Sequence, residues 1–126
     1  MSTVAVTSTS FDTLVEKPGI LALDWWAAWC GPCRAFAPVF EAASVKHPDI
    51  TWGKVDTDAE QELAGAFAIR SIPTLMIFRD GILIFAQPGM LPGKVLEDLI
   101  EKVRALDMDD VKKKVAEEEA KAQKTG

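Results

Sequence analysis

The sequence predicts an α/β fold: a central mixed β-sheet flanked by helices on both faces. Two apolar runs, at 20–26 and 50–56, are separated by a long helical stretch at 31–47. A strand–helix–strand order of this kind requires a parallel crossover. Farther on, "TLMIFRDGILIFAQ" (74–87) sets Asp80-Gly81 between two apolar runs. Asp-Gly between strands signals a hairpin, which adds an antiparallel edge to the sheet.

Taken in order, "TVAVT" (3–7) alternates as a short strand. Ser8, Thr9 and Ser10 offer caps for a helix whose apolar residues are Phe11, Leu14 and Val15, and Pro18-Gly19 end it. "ILALDWW" (20–26) is apolar except at Asp24, the pattern of a strand covered on both faces in mid-sheet. The helix at 31–47 carries Phe36, Val39, Phe40 and Ala43 on one stripe. Pro32 suits its first turn, and Pro38, inside the pattern, should kink it. "ITWGKVD" (50–56) reads as a second buried strand. "AEQELAGAF" (59–67) reads as a short helix that Gly65 helps to end. In "LPGKVLEDLIEKVRAL" (91–106), Val95, Leu96, Leu99, Ile100 and Val103 form the stripe of an amphipathic helix. One domain, 1–106, is therefore expected, followed by a charged helical tail, 107–126.

Composition narrows the function. A formal net charge of −5 and a pI near 4.8 disfavour nucleic acid and anionic membrane surfaces as main partners. No apolar run approaches membrane-spanning length. "MSTVAVTSTSF" lacks the charged start and long apolar stretch of a secretory signal, so a cytoplasmic location is expected. No Gly-rich phosphate loop is present, and no cofactor is expected.

The chemistry centres on "WAAWCGPCRAF" (26–36), which holds the only two cysteines. Structural zinc needs four ligands, and the chain offers two thiols and the lone His47. His47, near the end of the long helix, reads more simply as a helix-end cation. No metal site is expected. A permanent disulfide across two residues would remove little unfolded-chain entropy and would sit in a reducing compartment. A redox couple has a mechanism. Cys30 precedes the helix start, where unpaired amides and the positive dipole end favour thiolate, the species that attacks disulfides. Cys30, outermost, is the expected nucleophile, and Cys33, one turn in, the resolving thiol.

"WCGPC" at 29–33 is the active-site motif of the thioredoxin family. The chain resembles that family from about residue 4 to residue 105: in strand order, in the aspartate six residues before Cys30, in "SIPT" at 71–74 and in Gly89 after the hairpin. The resemblance implies a thioredoxin fold and a protein-disulfide reductase that acts by dithiol–disulfide exchange. It implies as partners disulfide-containing proteins and a flavin-containing thioredoxin reductase drawing on NADPH. It casts Asp24 as the buried acceptor of the Cys33 proton, Lys54 as its neighbour, and Pro73 as a cis proline facing the cysteines. Ile72 would then offer backbone groups to an extended substrate. Trp29, Gly31, Pro32, Ile72, Pro73 and Gly89 would form a flat apolar patch around Cys30, suited to many substrates. Trp25, Trp26 and Trp52 read as core. Pro88 and Met90 depart from the small or β-branched residues expected beside Gly89.

Two alternatives remain open on the sequence. One is an oxidase or isomerase of the same fold, although such relatives usually carry histidine where Pro32 stands. The other is a non-enzymatic module that holds a partner on the patch. A monomer is expected. In the tail, Asp107 should cap a helix supported by Asp110/Lys114 and Glu117/Lys121, acid first. Its apolar stripe, Met108, Val111 and Val115, is short, so order near 107–116 and fraying beyond are expected.

Overall fold

The computed structural model describes residues 2–125; Met1 and Gly126 lie outside the described residues. Ten elements follow one another: β1 (Thr3–Ala5), α1 (Phe11–Glu16), β2 (Ile20–Trp26), α2 (Gly31–Lys46), β3 (Thr51–Asp56), α3 (Gln61–Ala66), β4 (Thr74–Arg79), β5 (Ile82–Pro88), α4 (Gly93–Arg104) and α5 (Met108–Thr125). The sheet order is β1-β3-β2-β4-β5. β1 and β2 pair with β3 in parallel, while β4 runs antiparallel to both β2 and β5. β2 is thus the central strand, which explains its nearly continuous apolar run.

Alternation along the strands builds two cores. Ala22 of β2, Trp52 of β3, and Leu75 and Ile77 of β4 pack against Phe36, Phe40 and Ala43 of α2 and Leu96, Ile100 and Val103 of α4. On the opposite face Leu21, Leu23, Trp25, Val55, Met76 and Phe78 pack against Phe11 of α1 and Ala64 of α3. Asp24 falls between Ala22 and Trp26 in the first series, so its carboxyl points to the face that α2 covers.

The hairpin turn places both Asp80 (φ 53°) and Gly81 (φ 81°) in the left-handed region, as the Asp-Gly pair predicts. α2 continues through Pro38 from Gly31 to Lys46. His47 caps its C-terminus, with its ring between Glu97 (3.0 Å) and an Arg104 Nη2 (3.1 Å).

Several local expectations are corrected. β1 ends at Ala5, although the Val6 amide still donates to the Lys54 carbonyl at 2.9 Å. Ser10 is the N-cap of α1 but makes no cap bond; its Oγ instead accepts from the Thr7 amide at 3.0 Å. Gly65 lies within α3, and the chain turns away at Ala68, φ 53°. On α4 the buried stripe is Leu96, Ile100 and Val103, with Leu99 packed at its margin. Val95 is 45% exposed, because it sits on the flank of that stripe. The tail helix also runs further than expected, to Thr125. Asp107 Oδ1 accepts from the Asp109 (3.1 Å) and Asp110 (3.3 Å) amides, and Asp110–Lys114 (3.2 Å) and Glu118–Lys121 (3.8 Å) lace the helix.

Candidate active site

The site forms where β2 ends and α2 begins. Ala27–Trp29 lead from the central strand to Cys30, which is extended (φ −86°, ψ 112°) and occupies the N-cap of α2. Gly31 and Pro32 form the exposed first turn. Proline here forfeits no helical bond. The turn brings the Cα atoms of Cys30 and Cys33 to 5.2 Å, and the two sulfurs form a disulfide. The Cys33 amide donates to Cys30 Sγ at 3.1 Å. Cys30 therefore takes the place of a capping oxygen, receiving one of the unpaired amides of the helix start. Once reduced, a thiolate at this position gains that bond and the positive end of the helix dipole.

Both cysteines are nearly enclosed, at 4% exposed for Cys30 and 3% for Cys33. Exposure therefore does little to separate them, contrary to the expected contrast. What distinguishes them is the capping bond, which among the described residues the Cys30 sulfur receives and the Cys33 sulfur does not. Ala27, Cys30 and Cys33 pack together, with Trp26 and Ile72 against them.

Facing the disulfide, the Ile72–Pro73 peptide is cis. The Ile72 carbonyl oxygen lies 3.6 Å from Cys30 Sγ. Pro73 is itself fully buried, so it adds no surface to the patch. Its carbonyl accepts from the Gly89 amide at 2.8 Å, and Gly89 adopts φ 99°, a conformation that suits glycine. This bond joins the two loops beside the cysteines. Gly31, Pro32, Gly89 and Pro88 are exposed, Ile72 is half-buried and Met90 is 42% exposed. Trp29 is 69% exposed, and its Nε1 donates to Asp58 Oδ2 at 3.0 Å.

Asp24 is completely buried, and neither carboxylate oxygen has a hydrogen-bond partner among the described residues. Lys54 stands opposite it in register on β3, with Nζ 3.9 Å from Oδ2. Burial pushes the Asp24 carboxyl up to about 6, against the downward pull of the Lys54 charge. A carboxyl held there exchanges protons near neutral pH.

Two neighbours of the site escaped the sequence reading. Asp58, which orients Trp29, lies 29 positions away in the turn after β3, and no spacing rule links them. Arg34, one helical turn beyond Cys30, donates from Nη1 to the Ala28 carbonyl at 2.8 Å and ties the loop to α2. Its spacing from Cys30 was the available clue.

A redox-active disulfide at a helix N-terminus, facing a cis proline on a mixed sheet, defines a thiol–disulfide oxidoreductase. The thioredoxin family model matches residues 2–105. A putative thioredoxin 2 of Streptomyces coelicolor is 53% identical over 121 residues, covering 96% of this chain and 90% of that protein. The thioredoxin of Bacillus subtilis is 37% identical over 103 residues, covering 81% and 98%. Among solved structures, a mutant thioredoxin from Halobacterium salinarum superimposes with a TM-score of 0.76 at 33% identity, covering 83% of this chain and 93% of that one. The chain belongs to the thioredoxin family. It is a protein-disulfide reductase working by dithiol–disulfide exchange through Cys30 and Cys33. Family membership implies thioredoxin reductase and disulfide-containing substrates as partners.

Proposed function

We propose that Cys30 is the attacking thiolate and Cys33 the resolving thiol. The observation that carries this assignment is the Cys33 amide on Cys30 Sγ at 3.1 Å. In the forward reaction the Cys30 thiolate attacks one sulfur of a substrate disulfide and expels the other as a thiolate. The mixed disulfide then yields to Cys33. Its proton passes to Asp24, its sulfur attacks Cys30 Sγ, and the second substrate sulfur leaves as a thiolate. Two electrons have moved to the substrate, and the chain is left with the Cys30–Cys33 disulfide. Thioredoxin reductase returns the electrons.

Asp24 is suited to the proton step by burial and by a carboxyl poised at about 6. Lys54, at 3.9 Å, favours the ionised carboxylate that receives the proton. Substrate docks as an extended segment along Ile72, over Trp29, Gly31, Pro32 and Gly89, with cis Pro73 fixing the Ile72 carbonyl toward Cys30. A patch built from backbone and apolar surface selects for accessibility more than for sequence, so the substrate range is broad.

All these groups belong to one chain, and the catalytic unit is a monomer spanning residues 1–106, with 107–126 as an appended helix. Its place is the cytoplasm. Among the described residues, no helix is long and apolar enough to cross a membrane, and two adjacent cysteines suit a reducing compartment. Insulin reduction tests the reading. The Cys30→Ser and Cys33→Ser variants should both lose turnover, and only Cys33→Ser should retain rapid alkylation of its remaining thiol. Faster alkylation of Cys33 in Cys30→Ser would reverse the roles.

A further inference from the structure

Trp26 takes no part in the exchange steps, yet it touches both halves of the machinery. Asp24 and Trp26 alternate onto one face of β2, and Lys54 and Asp56 stand opposite them in register on β3. The Lys54 ammonium makes two contacts among the described residues: Asp24 Oδ2 at 3.9 Å and the Trp26 ring, 5.0 Å from its centroid. Trp26 also packs against Ala27, Cys30 and Cys33.

Lys54 needs such a holder. Its stem is long, and fixing one rotamer costs conformational entropy. The ammonium also has rival anions. Asp56 lies two residues along the same face, and Asp56 and Glu60 line, with Lys54 and Trp26, a groove of about 380 Å³ open to solvent. Either carboxylate is better hydrated and cheaper to reach than buried Asp24. The indole face is attractive to a cation and lies where a lysine must pass to reach Asp24.

We propose that Trp26 is a positioning residue: its ring holds the Lys54 ammonium against Asp24 and away from Asp56 and Glu60, keeping the positive charge where the Cys33 proton is to be received. This rests on the proposed roles of Asp24 and Lys54. It also ties that charge to the packing around the two sulfurs.

The test is the titration midpoint of Asp24, followed by carboxyl NMR in the oxidised protein. It is measured in the wild type, Lys54→Met, Trp26→Leu, Trp26→Phe and the Lys54→Met/Trp26→Leu double variant. Lys54→Met should raise the midpoint, because the favourable charge is gone. Trp26→Leu should raise it in the same direction by about half a pH unit. Trp26→Phe, which keeps an aromatic face, should stay closer to the wild type. In the double variant the Trp26 change should add nothing. A merely structural role for Trp26 predicts the opposite sign, since opening the site to water relieves desolvation and lowers the midpoint. A lowered or unmoved midpoint in Trp26→Leu, with Lys54→Met still raised, overturns the inference and leaves the Asp24–Lys54 reading intact. An unmoved midpoint in Lys54→Met overturns both. If Trp26→Leu does not fold, Trp26→Met supplies the same measurement.

Discussion

Trp29 Nε1 donates to the Asp58 carboxylate, at 3.0 Å to Oδ2 and 3.4 Å to Oδ1, so an indole that is 69% exposed beside the disulfide is held by one side chain. Asp58 is in turn set by its own amide, which donates to Asp56 Oδ1 at 3.0 Å. A large apolar ring that would otherwise sample several rotamers is thereby presented in one. Asp58→Ala should free it. A charge-assisted bond at an exposed position contributes about 1 kcal/mol, so KM for insulin should rise roughly fivefold while kcat changes little. An unchanged KM in steady-state assays would show that Trp29 is not used in docking.

Cys33→Ser keeps the capping amide on Cys30 Sγ, because that donor belongs to the backbone. The nucleophile survives and the resolving sulfur is lost. Mixed disulfides between Cys30 and cellular proteins should accumulate and be recoverable on non-reducing gels. Trapping through Cys33 in Cys30→Ser would instead assign the attack to Cys33.

Asp24 gives a pH signature with a definite sign. Its carboxyl titrates near 6 in the folded chain, against 3.8 for an unperturbed aspartate. Between those values the folded state holds more protons than the unfolded state. The favourable contribution of this group is therefore complete below pH 3.8 and is lost as pH rises toward 6. Above that, ionised Asp24 costs on the order of 3 kcal/mol. In urea unfolding, the stability of Asp24→Asn relative to wild type should therefore be greater at pH 7 than at pH 4 by an amount of that order. The comparison cancels any fixed cost of burying the amide. Exchange at pH 7 should slow by roughly tenfold or more. A pH-independent stability difference would mean that Asp24 keeps an ordinary carboxyl.

Much of this was legible in the sequence, for identifiable reasons. The apolar run at 20–26 announces a central strand, and a single polar residue inside it must be buried. Asp-Gly specifies two positive φ values, and both are present at Asp80 and Gly81. The cysteine pair marks its own chemistry through its place at a helix start. Contacts that escaped include two between side chains far apart in sequence, Trp29 with Asp58 and the Trp26 ring with Lys54, and one from a side chain to nearby backbone, Arg34 with the Ala28 carbonyl. Periodicity assigns a residue to a face but does not say which rotamer it adopts there. Val95 shows a related limit. A stripe drawn at helical spacing includes its flanks, and only the depth of the neighbouring sheet decides which flank is covered.

The tail poses the last question, because the family match ends at residue 105 while α5 runs from Met108 to Thr125. The S. coelicolor relative aligns over 96% of the chain and so shares part of this extension. Met108 is buried, and Val111 and Val115 are half-buried along a groove of about 590 Å³ beside Ile82, Leu83, Ile84 and Leu106. Lys112 reaches Asp80 at 3.8 Å, across the hairpin turn. These contacts lie at the Ile82 end of β5, whereas Gly89, next to the cysteines, follows its other end. Deleting residues 107–126 should therefore leave insulin reduction within about twofold of the full chain. The lost burial of Met108 is worth about 1.5–3 kcal/mol before the ordering entropy of the helix is subtracted. A net loss of about 1 kcal/mol, or roughly 5 °C in Tm by calorimetry, is expected. A tenfold loss of activity would mean that the tail supports the active site through the sheet. A fall in Tm several times larger would mean that α5 belongs to the core and that the domain does not end at residue 106.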